Sequence, residues 1–425
     1  MIWLYRLLFL PAFALMFPYY ALRMLRRGGY AKDFSHRFGA LPNLPKKAEN
    51  KKRIWIQAVS VGEIDAVMPL VKKMTATDKY EVVVTTTTST AYALLKGKYA
   101  NDCFAGAIFP IDFLPFSARA WNVISPDIAI LMEGEIWPEH LHQAKTRNVP
   151  AVLINARLSD RSFGRYSKVK YIAQRMFNKF AKICVSNEAD LRRFQKLGVN
   201  TEKLELTGNI KFDTPSANVS EDAKLAIRRE CGFEQDSFVL LGSSTWKGEE
   251  KMLVQATANL RASGLDCRLL LIPRHAERRN EVKPEIEDFP HCVRTERKQA
   301  DVGNIIYLAD TTGELRMFTS IADLAFVGKS LFGHIGGQSP IDAAAAGVPI
   351  IYGENMSNFR LICRNLEVAG ASRKAMSPEE AIAQIEELAK NPKARKAMSQ
   401  SAKLWHKNNE GATQKTLEVI EQFVA

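Results

Sequence analysis

The chain has 425 residues and a formal net charge of +13, with 46% hydrophobic and 25% charged residues. That length exceeds one compact core and suits two ordinary domains, and the composition excludes a disordered, collagen-like or disulfide-scaffold protein. The excess of Lys and Arg requires an anionic partner or surface without saying which.

The first predicted element lies at the amino terminus. Residues 7–22 (LLFLPAFALMFPYYAL) are apolar and aromatic, with Arg6 before them and Arg23, Arg26 and Arg27 after. A secretory signal would need a small-residue cleavage site where Arg-Met-Leu-Arg-Arg stands. The segment is short beside the roughly 20 residues of a full span, and Pro11 and Pro18 weaken a straight helix. A membrane anchor over 1–30 is therefore expected, either short or lying in the headgroup region; the competing reading is a helix packed on the body. Basic residues follow it (Arg23, Arg26, Arg27, Arg37, Lys46, Lys47, Lys51, Lys52, Arg53), which place the rest of the chain in the cytoplasm and against anionic lipid. With the charge concentrated there and no recognisable nucleic-acid module, nucleic acid is not expected as a partner.

From residue 53 short apolar runs alternate with helical patterns. Strands are predicted at 53–59, 81–85, 105–109, 127–132, 151–154 and 183–185. The polar stretch 213–222 (DTPSANVSED) reads as a linker. A second series follows at 238–241, 268–272, 305–308, 324–327 and 349–351, and helices close the chain from residue 377. Such alternation means parallel strands with crossover helices, two α/β doubly wound sheets whose ligands sit at strand carboxyl ends. Neither a GxGxxG nor a GxxxxGK[ST] fingerprint is present. The six cysteines form no CxxC pair, so buried reduced thiols are expected rather than disulfides or a zinc site.

Candidate chemistry falls at the strand ends. Glu63, in Val-Ser-Val-Gly-Glu after the first strand, lies in a first helical turn, where it can be a general base or a favourable charge at a helix start. Glu133 and Glu135 follow another apolar strand, and at least one is expected to face the ligand site. Lys211, just before the linker, can reach a phosphate or carboxylate or be a surface charge. In the second half, Gly242–Thr245 reads as a small polar loop suited to phosphate, Pro273, Arg274 and His275 follow a strand, and Thr312-Gly313-Glu314-Leu315 opens a helix. The glycine-rich stretch 328–346 then offers backbone donors for a phosphate and a short acid for ribose.

With these motifs in view, the sequence resembles the 3-deoxy-D-manno-octulosonic acid (Kdo) transferases that act on lipid IVA. The resemblance runs from the anchor to beyond Phe359 through AVSVGE (58–63), VTTTT (84–88), ExEIWP (133–138), NARLSxRS (155–162), GNIKFD (208–213), IPRHxER (272–278) and TGEL (312–315). It implies the α/β GT-B architecture, two Rossmann-like domains facing a cleft with an amino-terminal membrane-anchor helix: 31–212 for the acceptor, 213–222 as linker, and 223–425 for the donor with the carboxy-terminal helices. It further implies inverting transfer of Kdo from CMP-Kdo, the donor substrate, to the lipid A precursor at the cytoplasmic side of the inner membrane, with no metal and no separate cofactor. Glu63 would be the general base, Glu133 and Lys211 would stabilise the transition state, and Pro273, Arg274, Gly313, Glu314, Leu315, Ser339, Pro340, Ile341 and Asp342 would hold CMP. The chain departs from the family in two places. Ser-Pro-Ile-Asp stands at 339–342 for the usual Asn-Pro-Leu-Glu, and Glu354-Asn355 for Pro-His. Another membrane-associated nucleotide-sugar transferase of the same fold, or a non-enzymatic membrane scaffold, are the alternatives.

Overall fold

The computed structural model describes residues 2–27, 32–42, 44–213, 219–297 and 299–424. Two compact units emerge, Met1–Thr214 with Glu410–Ala425, and Pro215–Asn409. The amino-terminal unit carries β1 (Lys52–Gln57), β2 (Tyr80–Thr86), β3 (Ala105–Ile108), β4 (Ile128–Met132), β5 (Ala151–Ala156), β6 (Lys182–Val185) and β7 (Leu204–Leu206). They form one parallel sheet in the order β3-β2-β1-β4-β5-β6-β7.

Burial follows from the covering of both faces. Strands β2, β4 and β5 are buried at every residue, as expected where crossover helices screen each side of a parallel sheet. Alternate side chains serve different cores. Ile54, Ile56, Ile128 and Ile130 pack with the helix Val61–Thr75, whereas Trp55, Val83, Ala129 and Leu131 pack with Trp121 and Phe177 on the other face.

The second unit repeats the plan with β8 (Phe238–Thr245), β9 (Cys267–Pro273), β10 (His291–Val293), β11 (Ile306–Leu308), β12 (Leu324–Val327), β13 (Ile350–Gly353) and β14 (Ser372–Ala375). Its order is β10-β11-β9-β8-β12-β13-β14, again parallel throughout. In each sheet the chain first winds to one side of a central strand and then returns to the other. The reversal lies between β1 and β4 in the first unit and between β8 and β12 in the second. Those are the places where strand carboxyl ends leave a crevice.

Several expectations need correction. The predicted strands are all present, but β7, β10 and β14 are additional; each is three or four residues long and lies at a sheet edge, where a short strand carries little apolar signal. Residues Gly242–Thr245 continue β8 rather than forming a loop. Of the expected linker, 214–218 lie outside the described residues, Asp213 closes the short helix Ile210–Asp213, and Glu221 already begins the helix Glu221–Glu230.

The range 223–425 does not stay together either: the last helix, Ala412–Glu421, belongs to the first unit. It does so because Ala412, Leu417 and Ile420 complete the core around Ile64 and Val67. The Asp213 carboxylate also accepts the N–H groups of Gly411, at 2.6 Å, and Thr413. All six cysteines are unpaired, and all but Cys103 are buried.

The amino-terminal helix Ile2–Arg27 runs through Pro11 and Pro18 without interruption. Every residue from Leu10 to Tyr20 is exposed, so this part of the helix has no packed face. Its first turns are docked: Phe9 stacks on Phe113 with centroids 4.8 Å apart, and Tyr5 and Arg6 reach buried acids of the first unit. The expected packed-helix alternative thus holds for the first two turns and fails from Leu10 to Tyr20. The side chains of the expected basic flank at Arg23, Arg26 and Arg27 lie outside the described residues.

Candidate active site

Glu63 sits where β1 turns into its helix. Ser60 caps that helix, its Oγ accepting the Glu63 N–H at 3.4 Å. In return the Glu63 carboxylate accepts the Ser60 hydroxyl and the Val59 N–H, each at 2.9 Å. This reciprocal arrangement is a variant of the capping box that Ser-Val-Gly-Glu spells out. The helix-start role is therefore real, and it is compatible with proton transfer. Only 8% of Glu63 is exposed, and burial, with the nearby Glu133 charge second, raises its carboxyl above the ordinary range despite these hydrogen bonds and Lys211.

Glu133 follows β4, on the other side of the reversal point from Glu63. Its backbone is left-handed at φ 54°, a strained conformation for a side-chain-bearing residue, and is pinned by its N–H to the Ile154 carbonyl at 3.0 Å. The Lys211 Nζ lies 2.5 Å from Glu133 Oε1. Burial works against ionisation of Glu133, but the charges of Lys211 and Arg157 outweigh it and hold the carboxyl below its usual range. Lys211 is thus neither a plain surface charge nor simply open to a ligand, because its ammonium is engaged by Glu133. The structure brings Glu63, Glu133 and Lys211 together in one unit.

The local reason lies in Gly-Asn-Ile-Lys-Phe-Asp. Gly208 adopts φ 93° with the Ala412 Cβ 3.2 Å from where its own Cβ would be, so a larger residue would meet the last helix in a strained backbone. Asn209 Oδ1 accepts the Lys211 N–H at 3.0 Å, Ile210 is buried in the core, and Asp213 holds the last helix. Lys211 is aimed at Glu133 by a segment fastened from both sides.

Glu135 lies two residues beyond Glu133 in the same turn. Its carboxyl is pushed up to about 7 by burial first and then by the charges of Glu63 and Glu133. Between the ordinary glutamate value and about 7 the folded chain therefore holds a proton that the unfolded chain releases, and stability falls as pH rises through that window. Glu135→Gln is expected to raise Tm by several degrees at about pH 8 and by little near pH 5; a pH-independent difference would show that the proton is not held. Arg157, the second cation beside Glu133, was legible only as part of the NARLSxRS motif.

The second unit places its candidates along the carboxyl edge of neighbouring strands. Pro273 ends β9, and the Arg274 N–H donates to the Thr245 carbonyl at 3.1 Å, across the β8–β9 pair. Gly313 and Glu314 precede the helix Leu315–Thr319, and Gly313 has φ 92°. Ser339 and Pro340 lead into the helix Ile341–Ala346, which touches the Leu315–Thr319 helix. Side-chain roles in ligand binding are narrowed here. Glu314 is gripped by Arg294 through two bonds of 2.7 Å, and Asp342 accepts from Arg316 at 2.8 Å. Pro340 and Ile341 are buried. Arg274 is exposed at this edge, whereas the Ser339 Oγ accepts the Ile341 N–H at 3.4 Å.

The glycine-rich stretch does not begin as a phosphate cradle. The N–H groups of Lys329, Ser330 and Leu331 all donate to Glu249, at 2.8, 2.9 and 3.2 Å, and Trp246 N–H adds a fourth bond at 2.8 Å. Glu249 is fully buried and plays the anion itself. In sequence, a glutamate at a helix start is indistinguishable from an ordinary charge–dipole residue.

The family pattern described as 3-deoxy-D-manno-octulosonic-acid transferase (kdotransferase) matches residues 32–214. A 3-deoxy-D-manno-octulosonic acid transferase of Haemophilus influenzae is 32% identical over 400 residues, covering 93% of this chain and 92% of its own. One of Bordetella pertussis is 30% identical over 383 residues, 87% of each chain. Among solved structures, the UDP-GlcNAc 2-epimerase of Neisseria meningitidis bound to UDP-GlcNAc superposes with a TM-score of 0.60 at 13% identity, covering 87% of this chain and all of that one. A putative UDP-N-acetylglucosamine 2-epimerase of Listeria monocytogenes gives 0.60 at 14% identity over 88% of this chain and 96% of its own. These two likenesses concern the fold, an α/β arrangement of the GT-B kind.

Proposed function

Because the chain belongs to the 3-deoxy-D-manno-octulosonic acid transferases, a family of glycosyltransferases, we propose that it transfers Kdo from CMP-Kdo to the lipid A precursor, lipid IVA, during lipopolysaccharide core biosynthesis. The observation that carries this reading is the Glu63–Glu133–Lys211 constellation at the reversal point of the first sheet.

In the proposed reaction Glu63 takes the proton of the acceptor hydroxyl. The oxygen attacks the anomeric carbon from the face opposite CMP, and the bond to the phosphate oxygen breaks with its electron pair leaving on CMP. One such displacement inverts the configuration. The raised basicity of Glu63 suits a general base, and Glu135, pushed up to about 7, gives up its proton less readily than an ordinary glutamate. Lys211 holds Glu133 ionised and stabilises charge in the transition state, a role in which positioned cations are effective. In the second unit the Arg274 side chain, the backbone of Pro273 and of Gly313, Glu314 and Leu315, and the segment Ser339, Pro340, Ile341 and Asp342 hold CMP. With protein cations supplying the positive charge, no resident metal or further cofactor is required.

We place the protein on the cytoplasmic face of the inner membrane, held by the helix Ile2–Arg27 against anionic lipid. That helix contains one apolar stretch, Ile2–Leu22, long enough to cross a bilayer and with none of it buried. Attachments on either side of the apolar stretch favour dipping over crossing. Arg6 is tied to Glu139, and Asp33 accepts from the Tyr92 hydroxyl at 2.5 Å, both within the first unit. Crossing a core of about 30 Å takes about 20 helical residues. Only about seven would remain to return to Asp33, a reach of roughly 24 Å.

The test is direct. Purified protein, a CMP-Kdo-generating system and lipid IVA should yield product heavier by one or more Kdo residues. A panel of nucleotide sugars in thermal melts covers the alternative donor, which the Arg316–Asp342 pair favours by withdrawing Asp342 from ribose. Protection by a UDP-sugar and not by CMP compounds, with no mass gain, would overturn the proposal.

A further inference from the structure

The base of the amino-terminal helix is joined to the start of the helix that follows the carboxylate turn. The turn 133–137 leads directly into the helix Pro138–Thr146, whose amino end has no cap of its own: Trp137, the N-cap residue, makes no capping bond. The missing cap comes from Asp112, in the loop after β3, whose carboxylate accepts the N–H of Glu139 at 3.0 Å and of His140 at 2.8 Å. The Tyr5 hydroxyl lies 2.9 Å from Asp112 Oδ2, fixing the capping carboxylate from outside.

Arg6 grips the same helical turn. Its guanidinium donates twice to Glu139, at 2.8 and 2.9 Å, and the Glu139 side chain is fully buried. Gln143 donates to Glu139 at 2.6 Å from one turn further on. Beneath this turn the His140 ring meets Trp55 of β1 at 4.6 Å, Trp121 at 5.0 Å and Phe109 at 5.2 Å, and Trp121 Nε1 donates to His140 Nδ1 at 3.1 Å. Trp137 in turn packs on Phe109 at 5.4 Å. The turn with Glu133 and Glu135 is therefore suspended between β4 and a helix end whose cap and whose buried acid are both held by residues of the amino-terminal helix.

Resting on the reading of Glu133 and Glu135 as site residues, we propose that Tyr5 and Arg6 are positioning residues for transfer: through Asp112 and Glu139 they fix the start of the Pro138–Thr146 helix and hence the carboxylate turn before it. Seating of the amino-terminal helix at a lipid surface and alignment of the site are then one mechanical event.

The test uses the full-length protein. Tyr5→Phe removes only a hydroxyl, and the double variant R6M/E139Q removes the ion pair without leaving a buried charge unpaired. Both are expected to exchange backbone amides in the peptide spanning 133–146 at least fivefold faster than the parent. Sedimentation with phosphatidylglycerol vesicles and Tm should be nearly unchanged. With detergent-dispersed acceptor, kcat should fall about tenfold with little change in the KM for donor, and the acidic limb of the pH profile should move with the displaced carboxylates. Amide exchange at 133–146 equal to the parent's would overturn the proposal whatever the substrate proves to be. So would an activity loss confined to vesicle-bound acceptor, or one that tracks a general loss of Tm. Failure of the parent to transfer Kdo would count against the reaction assigned above, while the exchange experiment would still decide the coupling.

Discussion

Glu63→Gln is expected to lower kcat by about 10³- to 10⁴-fold while leaving Tm and CMP binding close to those of the parent, the loss typical of removing a well-placed base. The fold should tolerate the change because the amide oxygen can still accept from the Val59 N–H or the Ser60 hydroxyl. Stability should even gain slightly at alkaline pH, where the parent keeps a charge that burial disfavours. Kinetics with saturating donor, calorimetry and a CMP titration check all three points. Turnover within tenfold of the parent would remove Glu63 from the role of base and leave it a helix-capping residue.

Lys211→Met should cost about 10²- to 10³-fold in kcat. Its effect on stability should be small, at most about 1 kcal/mol, because both partners of the Lys211–Glu133 pair are about a quarter exposed. The folded value of Glu133 is depressed by that pair. Its contribution to stability is therefore present above the ordinary glutamate value and lost as pH falls through the folded one. The Tm difference between parent and variant should accordingly close in acid. Combined with Glu133→Gln, the losses in kcat should fall well short of multiplying, since each single change already breaks the pair. Fully multiplicative losses would show the two residues acting separately.

The central strands were legible because parallel strands buried on both faces must be runs of Ile, Val, Leu and Ala, as β4 is. The edge strands β7, β10 and β14 were not, since three or four residues with one open side need no such run. Glu63 was legible as a charge at a helix start, but its cap on Ser60 and the nearby Glu133 that raises it came only with the fold. The glycine-rich stretch misled for a related reason. Its composition promised free backbone donors, and only the fold showed that Glu249, some 80 residues earlier, had taken those of Lys329, Ser330 and Leu331.

The sequence by itself determined the two α/β units, the apolar amino-terminal helix and the family, because periodicity, strand composition and ordered motifs are local properties of the chain. Only the tertiary structure decided which charges meet. Lys211 reaches Glu133 across 78 positions, Arg6 reaches Glu139 across 133, and the last helix returns to Asp213 across nearly 200. Coulomb and burial effects depend on distance in space and on access to water, and neither is a function of separation along the chain.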